Sequence, residues 1–391
     1  MADVSPNRYD SEGHYQLIQN AICNGLSLVI ATVVEIHGSA SAHPGSKMIV
    51  SKEGRNIHGW IGGGCAESFV IQQAIEALHA GVPRLVNVDL NDEWRGVGMP
   101  CGGSMDVYIE PVSPPRQLAI HLSVSGAELL ARWARRLGFA VQTVESTTQW
   151  GTADYAVHNT SDEPKLAIYS RASNTTSPGI LSNTNSPEMA AISVAGRLLA
   201  METSRSGMRL CHNQPLSTRH SQTGPAQMAL VLIGHNRITE CIAEVATSLG
   251  WTITLYSSLA RSGQYAPQVC CILDDDAYRA DVVDPHTCVV IATQHKGDHL
   301  WLQDVLRRRP RYVGVIASRS RAALLWDSLD TELSLLAQEC LYSPCGLDLG
   351  GRTPFGIALA ICCELLHFSN TYSSKSSTLP HASSHNNPDS R

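Results

Sequence analysis

The sequence predicts an α/β protein: a small N-terminal α/β domain followed by a C-terminal domain built on a parallel sheet. Three observations carry that reading. Runs of β-branched residues alternate with segments of helical apolar spacing, glycine-rich turns separate them, and one strand–helix–strand layout occurs twice. A chain of 391 residues, 43% hydrophobic and 16% charged, has the material for two or three such domains.

Residues Leu26–Glu35 (LSLVIATVVE) predict a buried strand. The run HGSASAHPGSK is turn-prone, Met48–Val50 predicts a second strand, and Lys52-Glu53-Gly54 a turn. A short approach through Trp60 and Ile61 leads into Gly62-Gly63-Gly64-Cys65. From Ala66 to Ala80, apolar residues at Phe69, Val70, Ala74, Ile75 and Leu78 fall on one helix face, and Gly81 ends it. Leu85–Leu90 and Met105–Ile109 predict strands, the second preceded by GVGMPCGGS and closed by Glu110-Pro111. The first domain thus spans residues 1–114.

Beyond it, RQLAIHLSVSGAELLARWARRLGFAVQTV (116–144) and QMALVLIGHNRITECIAEVATSLGWTITLY (227–256) share one layout. Each has an apolar strand, a small-residue turn, an amphipathic helix ending in Leu-Gly, an aromatic residue and a second strand. Gly138-Phe139 corresponds to Gly250-Trp251, and each copy predicts a β-α-β unit of a parallel sheet. Residues 171–187 are polar and turn-rich, Glu188–Met201 predicts a helix, and 212–226 reads as a linker. Residues 115–225 therefore form a degenerate β-α-β middle region with its linker. In 226–368, strands CCIL, CVVIAT and YVGVIAS alternate with helices LWLQDVLRRR and RAALLWDSL, and Pro354–Phe368 is the last helix. Residues 369–391, rich in Ser, His and Asn, read as a disordered tail.

No stretch approaches the ~20 apolar residues that span a bilayer. The N-terminus, MADVSPNRYDSEGHYQ, has neither the basic nor the apolar region of an export signal, so the expectation is a cytoplasmic protein without a membrane partner. A net charge of −6 with scattered basic residues leaves no footprint for nucleic acid. The twelve cysteines form no C-x-x-C pair, and Cys270, Cys271, Cys288, Cys362 and Cys363 read as reduced core thiols.

Cys65 and Cys101 differ, because glycines surround them. Three glycines between a strand and a helix let the backbone approach a ligand and leave N–H groups outward at the positive end of the helix dipole. The same field favours thiolate at Cys65, a soft ligand for a sulfur-rich metal centre. Glu67, in the first helical turn, can cap the helix or accept a hydrogen bond from a ligand. A plain strand-to-helix turn with a bystander cysteine explains this loop alone equally well. Gly98-Met99-Pro100-Cys101-Gly102-Gly103 repeats the grammar, and two such loops in one small domain can bring two thiols to one concave edge. No His-Asp arrangement for a cysteine nucleophile is evident, and His58 reads as a surface residue before a strand.

The run ATVVEIHGSASAHPGSKMIVSKEGRNIHGWIGGGCAE, then a helix, then GVPRLVNVDLND and GMPCGGSMDVYIEP, resembles the N-terminal domain of the XdhC/CoxI family. That family carries an equivalent Gly-Gly-Cys-x-Glu loop and a Cys-Gly-Gly loop at this separation. The stretch from LVLIGHNRITECIAEVATSLGW through YVGVIASRSR to SPCGLDLGGRTPFGIALAICCELL is similar to the family's Rossmann-like C-terminal domain. The resemblance implies an accessory chaperone that binds molybdenum cofactor (molybdopterin), protects it and delivers it to a molybdoenzyme client of the xanthine dehydrogenase or CO dehydrogenase type. It also implies a link to cofactor sulfuration, with a cysteine desulfurase as a candidate partner, and leaves a homo-oligomer open. On matching positions the cofactor-binding residues are Gly62, Gly63, Gly64, Cys65, Glu67, Cys101, Gly102, Gly103 and Gly234, with Cys65 and Cys101 as metal ligands.

The second domain departs from a dinucleotide fingerprint. G-x-G-x-x-G gives the tight turn and the room for a pyrophosphate, yet Gly234-His235-Asn236-Arg237-Ile238-Thr239 keeps only its first glycine. The following strand ends at Tyr256-Ser257-Ser258 without an acidic residue for the ribose, and Asp274-Asp275-Asp276 lies too far along. This argues against classical NAD(P) binding. An NAD(P)-dependent oxidoreductase in a molybdenum-independent pathway is the alternative, and an assembly protein without ligand chemistry a third. Gly346–Pro354 opens the last helix, with Thr353 as N-cap and Pro354 as first residue, and the family carries a similar run. His295 and Asp298 follow CVVIAT, where parallel sheets bind ligands, although solvated loop residues fit that position too.

Overall fold

The computed structural model describes residues 11–376 apart from 63–64, 90–102, 125, 147–148, 150, 152, 160–165, 172–174, 178–185, 206–227, 258, 261–264, 273–277, 279 and 294–296. The chain divides into two compact units, Met1–Arg116 and Gln117–Arg391.

In the first unit α1 (Ser11–Cys23) precedes β1 (Leu28–His37), β2 (Lys47–Ser51), β3 (Asn56–Gly59), α2 (Cys65–Ala80), β4 (Arg84–Asp89) and β5 (Ser104–Val112). The sheet is antiparallel throughout, in the order β3-β2-β1-β5-β4. One face packs on α2 through Val29, Ala31, Val33, Met48, Val70, Ala74 and Val107. On the other face, Leu28 and Ile49 pack with Ala21 and Leu17 of α1. Nothing in the sequence pattern announced α1. The strand approaching the glycine loop is Asn56–Gly59, and His58 lies within it, its ring edge-on to buried His14 at 4.3 Å.

Alternation along β1 is interrupted once. Val33 stands opposite Val107, but the next pair is Glu35 with Asp106, so Val34 is the extra residue of a β-bulge. The bulge resets the pleat. Val33 and Ile36 both face the core although three positions apart, while Glu35 and His37 turn outward.

The second unit opens with β6 (Gln117–His121), α3 (Ala127–Arg136), β7 (Ala140–Val144), β8 (Tyr155–Asn159), β9 (Leu166–Ser170) and β10 (Thr175–Ser177). Its first sheet runs β10-β9-β8-β6-β7, parallel about β6 and antiparallel beyond β8. Then come α4 (Pro187–Arg205), β11 (Ala229–Ile233), α5 (Arg237–Ser248), β12 (Thr252–Tyr256), β13 (Val269–Ile272), β14 (Cys288–Ile291) and α6 (Asp298–Arg307). The chain closes with β15 (Tyr312–Val315), α7 (Arg319–Asp327), α8 (Thr331–Cys340), β16 (Leu341–Tyr342) and α9 (Pro354–Ser376). The second sheet is fully parallel in the order β13-β12-β11-β14-β15-β16, the doubly wound arrangement of a Rossmann-like fold.

Both predicted β-α-β units form. Gln117 pairs with Ala140, and Ala229 with Thr252, so the two copies have the same chain separation. Their helices share one apolar core: α3 packs on α4, and α4 and α5 both pack on α9. Arg136 of α3 ties them further. It bonds Glu244 at 2.6 Å and Cys241 Sγ at 3.3 Å on α5, and its guanidinium lies 4.7 Å over the Phe355 ring of α9. The opposite face of the parallel sheet packs on α6, α7 and α8 through Trp301, Leu302, Val305, Leu325 and Leu333.

The last helix continues to Ser376, past the boundary at Phe368 where the sequence suggested a disordered tail. The reason is cooperative. Ser, Asn and Thr lose only about 0.5 kcal/mol each relative to the best helix formers, whereas a helix nucleated in a packed core gains one hydrogen bond per added residue. Residues 377–391 lie outside the described residues. Cys270 and Cys271, expected in the core, are exposed because β13 is the edge of its sheet. Cys288 and Cys363 are core thiols, pushed up to about 12 by burial. No helix among the described residues is long and apolar enough to cross a membrane.

Arg136→Ala is expected to cost about 2 kcal/mol in chemical denaturation, because it removes a charge-assisted bond and the stacking on Phe355 together. Arg136→Lys should recover only part of it, since a lysine lacks the planar fork.

Candidate functional site

The first glycine loop joins β3 to α2. Gly62 is buried and Cys65 opens the helix. Glu67 is held by Asn56 across the loop, whose Nδ2 donates to Glu67 Oε1 at 2.9 Å and to the Gly59 carbonyl at 3.2 Å. The Asn56 side-chain oxygen in turn accepts the His58 N–H at 3.1 Å. The Glu67 carboxylate is thus oriented by β3. Gly63, Gly64, Cys101, Gly102 and the side chain of Cys65 lie outside the described residues.

The second loop enters β5 at Gly103. Ser104 pairs with His37, which carries Gly103 against the start of the β1–β2 connection. A Cβ on Gly103 would stand 2.6 Å from the His37 carbonyl oxygen and from both N and O of Ser39, so only glycine fits there. A Cβ on Gly62 would stand 3.6 Å from Ser41 Oγ. Gly62 and Gly103, the described ends of the two glycine loops, therefore both lie beside one connection, residues 38–46. That connection is itself well fixed: the Gly45 N–H donates to the Val33 carbonyl at 2.7 Å, and the His43 N–H to Ser46 Oγ at 3.1 Å. HGSASAHPGSK was expected only as a turn, and its place beside both Gly62 and Gly103 was missed. The legible signal was its run of small residues, which lets two other backbones approach.

In the second unit Gly234 ends β11 with φ +99°, and its Cα faces the Ala292 carbonyl, 2.7 Å from where a Cβ would sit. Here the helix end is already occupied. The Asn236 side chain accepts the N–H groups of Ile238 at 2.8 Å and Thr239 at 3.1 Å, and its amide donates to the Ala292 carbonyl at 2.6 Å. Thr239 closes a capping box by accepting the Asn236 N–H. His235 leans on Tyr265, with Nδ1 2.8 Å from its hydroxyl oxygen. Three amides at this helix start, those of Asn236, Ile238 and Thr239, are thus bonded within the chain. Asp298 is also no solvated loop residue. It is buried, accepts from Thr293, and pairs with Arg321 at 2.5 Å to Nη2 and 3.0 Å to Nε. It is the first residue of α6, and Arg321 of α7 compensates its charge. His295, like Asp274, Asp275 and Asp276, lies outside the described residues.

The model of the XdhC and CoxI family matches residues 21–89, and that of the XdhC Rossmann domain matches residues 230–365. The chain belongs to the XdhC and CoxI family. Among curated relatives, the molybdenum cofactor insertion chaperone PaoD of Escherichia coli is 30% identical over 98 residues, which cover 25% of this chain and 30% of PaoD. A Bacillus subtilis protein named as a probable subunit of xanthine dehydrogenase is 23% identical over 349 residues, 86% of this chain and 92% of that protein. Among solved structures, a xanthine dehydrogenase from Bacillus halodurans aligns over 93% of this chain and 97% of its own at 21% identity. Its TM-score of 0.34 is too low to carry an argument.

The XdhC Rossmann match takes in the loop before α9. Thr353 caps that helix as the sequence predicts, its Oγ1 accepting the Gly356 N–H at 3.1 Å. The loop's upstream end is pinned by a carboxyl inside the core. Glu364 of α9 accepts the Tyr312 hydroxyl and, at 3.1 Å, the Gly346 N–H. Burial raises Glu364 above the ordinary carboxylate range, against the opposite pull of those two hydrogen bonds.

Because its folded pKa is raised, only at pH values between the ordinary glutamate range and the raised one does Glu364 bind a proton that the unfolded chain has released. Stability from this group is full below the ordinary glutamate range and is lost as pH climbs through the raised value. Glu364→Gln keeps an acceptor and removes the charge. Its Tm should exceed that of the unmodified protein at neutral pH, and the gap should close as pH falls below the glutamate range. Separately, neither NAD+ nor NADPH should raise Tm, and a saturable rise would restore the dinucleotide reading.

Proposed function

We propose that this chain is a molybdenum-cofactor-binding accessory chaperone that shields the cofactor and delivers it to a xanthine-dehydrogenase-like molybdoenzyme. The observation that carries the reading is that Gly103, at the end of one glycine loop, lies against Ser39, and Gly62, at the start of the other, beside Ser41, both on the 38–46 connection. Two cysteine-bearing loops with ends beside one connection suit a reactive, sulfur-rich and anionic cargo. Backbone N–H groups of Gly63, Gly64 and Gly102, and the positive end of α2, would meet its anionic groups. Cys65 and Cys101 would offer soft ligands to its metal–sulfur end. Glu67, already fixed by Asn56, would accept a hydrogen bond from the pterin ring. The name of PaoD supports the cargo, and the xanthine dehydrogenase relative supports the class of client. A role without turnover agrees with the occupied end of α5, which leaves the second unit to positioning and client contact.

Anaerobic purification, metal analysis and release of the pterin as a fluorescent derivative test the reading directly. Cys65→Ala and Cys101→Ala should each lower retained molybdenum and pterin by roughly tenfold, the loss of one metal-directed contact. Retention unchanged in the double variant would remove the two-loop site. Transfer is read by activation of a cofactor-free xanthine dehydrogenase.

A further inference from the structure

We propose a second, separate site on the N-terminal unit: Glu35, His37 and Asp106 bind a divalent transition-metal cation on the outer face of the sheet. Each offers one donor atom, and the three donors lie within 4.8 Å of one another. The register explains how they meet. Glu35 stands opposite Asp106 across the β1–β5 ladder, His37 follows two residues on, and all three point to the face away from α2.

Two carboxylates directly across an antiparallel pair repel, and the Val34 bulge is what brings them into register. His37 Nε2 lies 3.8 Å from Asp106 Oδ2, beyond hydrogen-bond reach. Two ligands on one such ion, each about 2.1 Å from it, stand roughly 3–3.5 Å apart, so small rotamer changes close the set. Asn87 strengthens the case. It pairs with Asp106 across β4–β5, and its Nδ2 donates to Asp106 Oδ1 at 2.7 Å, leaving Oδ2 toward His37. An amide that fixes one carboxylate oxygen orients the other, as partners behind metal ligands do.

The donor set is one imidazole nitrogen and two carboxylate oxygens, with no thiolate. That favours manganese- or zinc-type cations over the soft ions that cysteine selects, and the imidazole favours them over magnesium and calcium. Three protein ligands leave positions for water or a bound anion.

Mn2+ is the probe, because it discriminates against the thiols of the glycine loops. Full-length protein, stripped with chelator and free of pterin, is titrated while the free-ion EPR signal is followed. One ion per chain should bind. Glu35→Gln, His37→Ala and Asp106→Asn should each weaken it by roughly tenfold or more, and Asn87→Ala by roughly tenfold, with unchanged circular dichroism. Absence of Mn2+ binding, or binding unaltered in the Glu35→Gln/His37→Ala double variant, overturns the site. The titration needs no cofactor, so its result is independent of the two-loop reading, which stands or falls on pterin retention.

Discussion

The N-terminal unit depends on how β1 is laid against β5. Antiparallel pairing leaves no freedom once the register is chosen, since a slip of one residue would turn every side chain to the opposite face. The chosen register buries Val33, Val107 and Ile109 against α2, and it brings Ser104 opposite His37. From that last pair comes the contact of Gly103 with Ser39, on the same connection whose Ser41 lies beside Gly62. The bulge at Val34 lets the apolar phase of β1 survive while its polar end changes phase. Core packing and the outer polar cluster thus follow from the same constraint.

Some of this was readable from the chain alone. Runs such as CVVIAT and YVGVIAS are short, apolar and β-branched, which is what a strand covered on both faces requires, and they appear as β14 and β15 in a doubly wound sheet. The two β-α-β copies were legible because Leu-Gly followed by an aromatic residue marks a helix end and a strand start within three positions. Other elements carried weak local signals. β10 lies in the polar 171–187 stretch, and β8 and β9 are five residues each, so their strand character rests on pairing with one another and on β6 more than on their own pattern. α1 is held by contacts with Leu28 and Ile49, which no helical pattern announces.

The candidate site divides in the same way. Glycines flanking Cys65 and Cys101 were conspicuous, because such clusters are rare outside turns that something must approach. That Asn56 orients Glu67, or that Arg321 compensates Asp298, could not be read from spacing. Each depends on a partner brought in by tertiary packing. Where the fingerprint would carry its second glycine the chain has Asn236, whose side chain bonds the Ile238 and Thr239 amides of α5, a partnership that no spacing announces.

The exposed thiols of Cys270 and Cys271 have a practical meaning of their own. Consecutive residues of an extended strand direct their side chains to opposite faces, so these two sulfurs cannot close on each other without breaking β13. Oxidation must therefore seek sulfur elsewhere, on glutathione or on another chain. Bonds between chains at this position would join molecules along β13, the last strand in the order of the parallel sheet. Reducing, oxygen-free handling then preserves the monodispersity of the preparation as well as any cargo it carries.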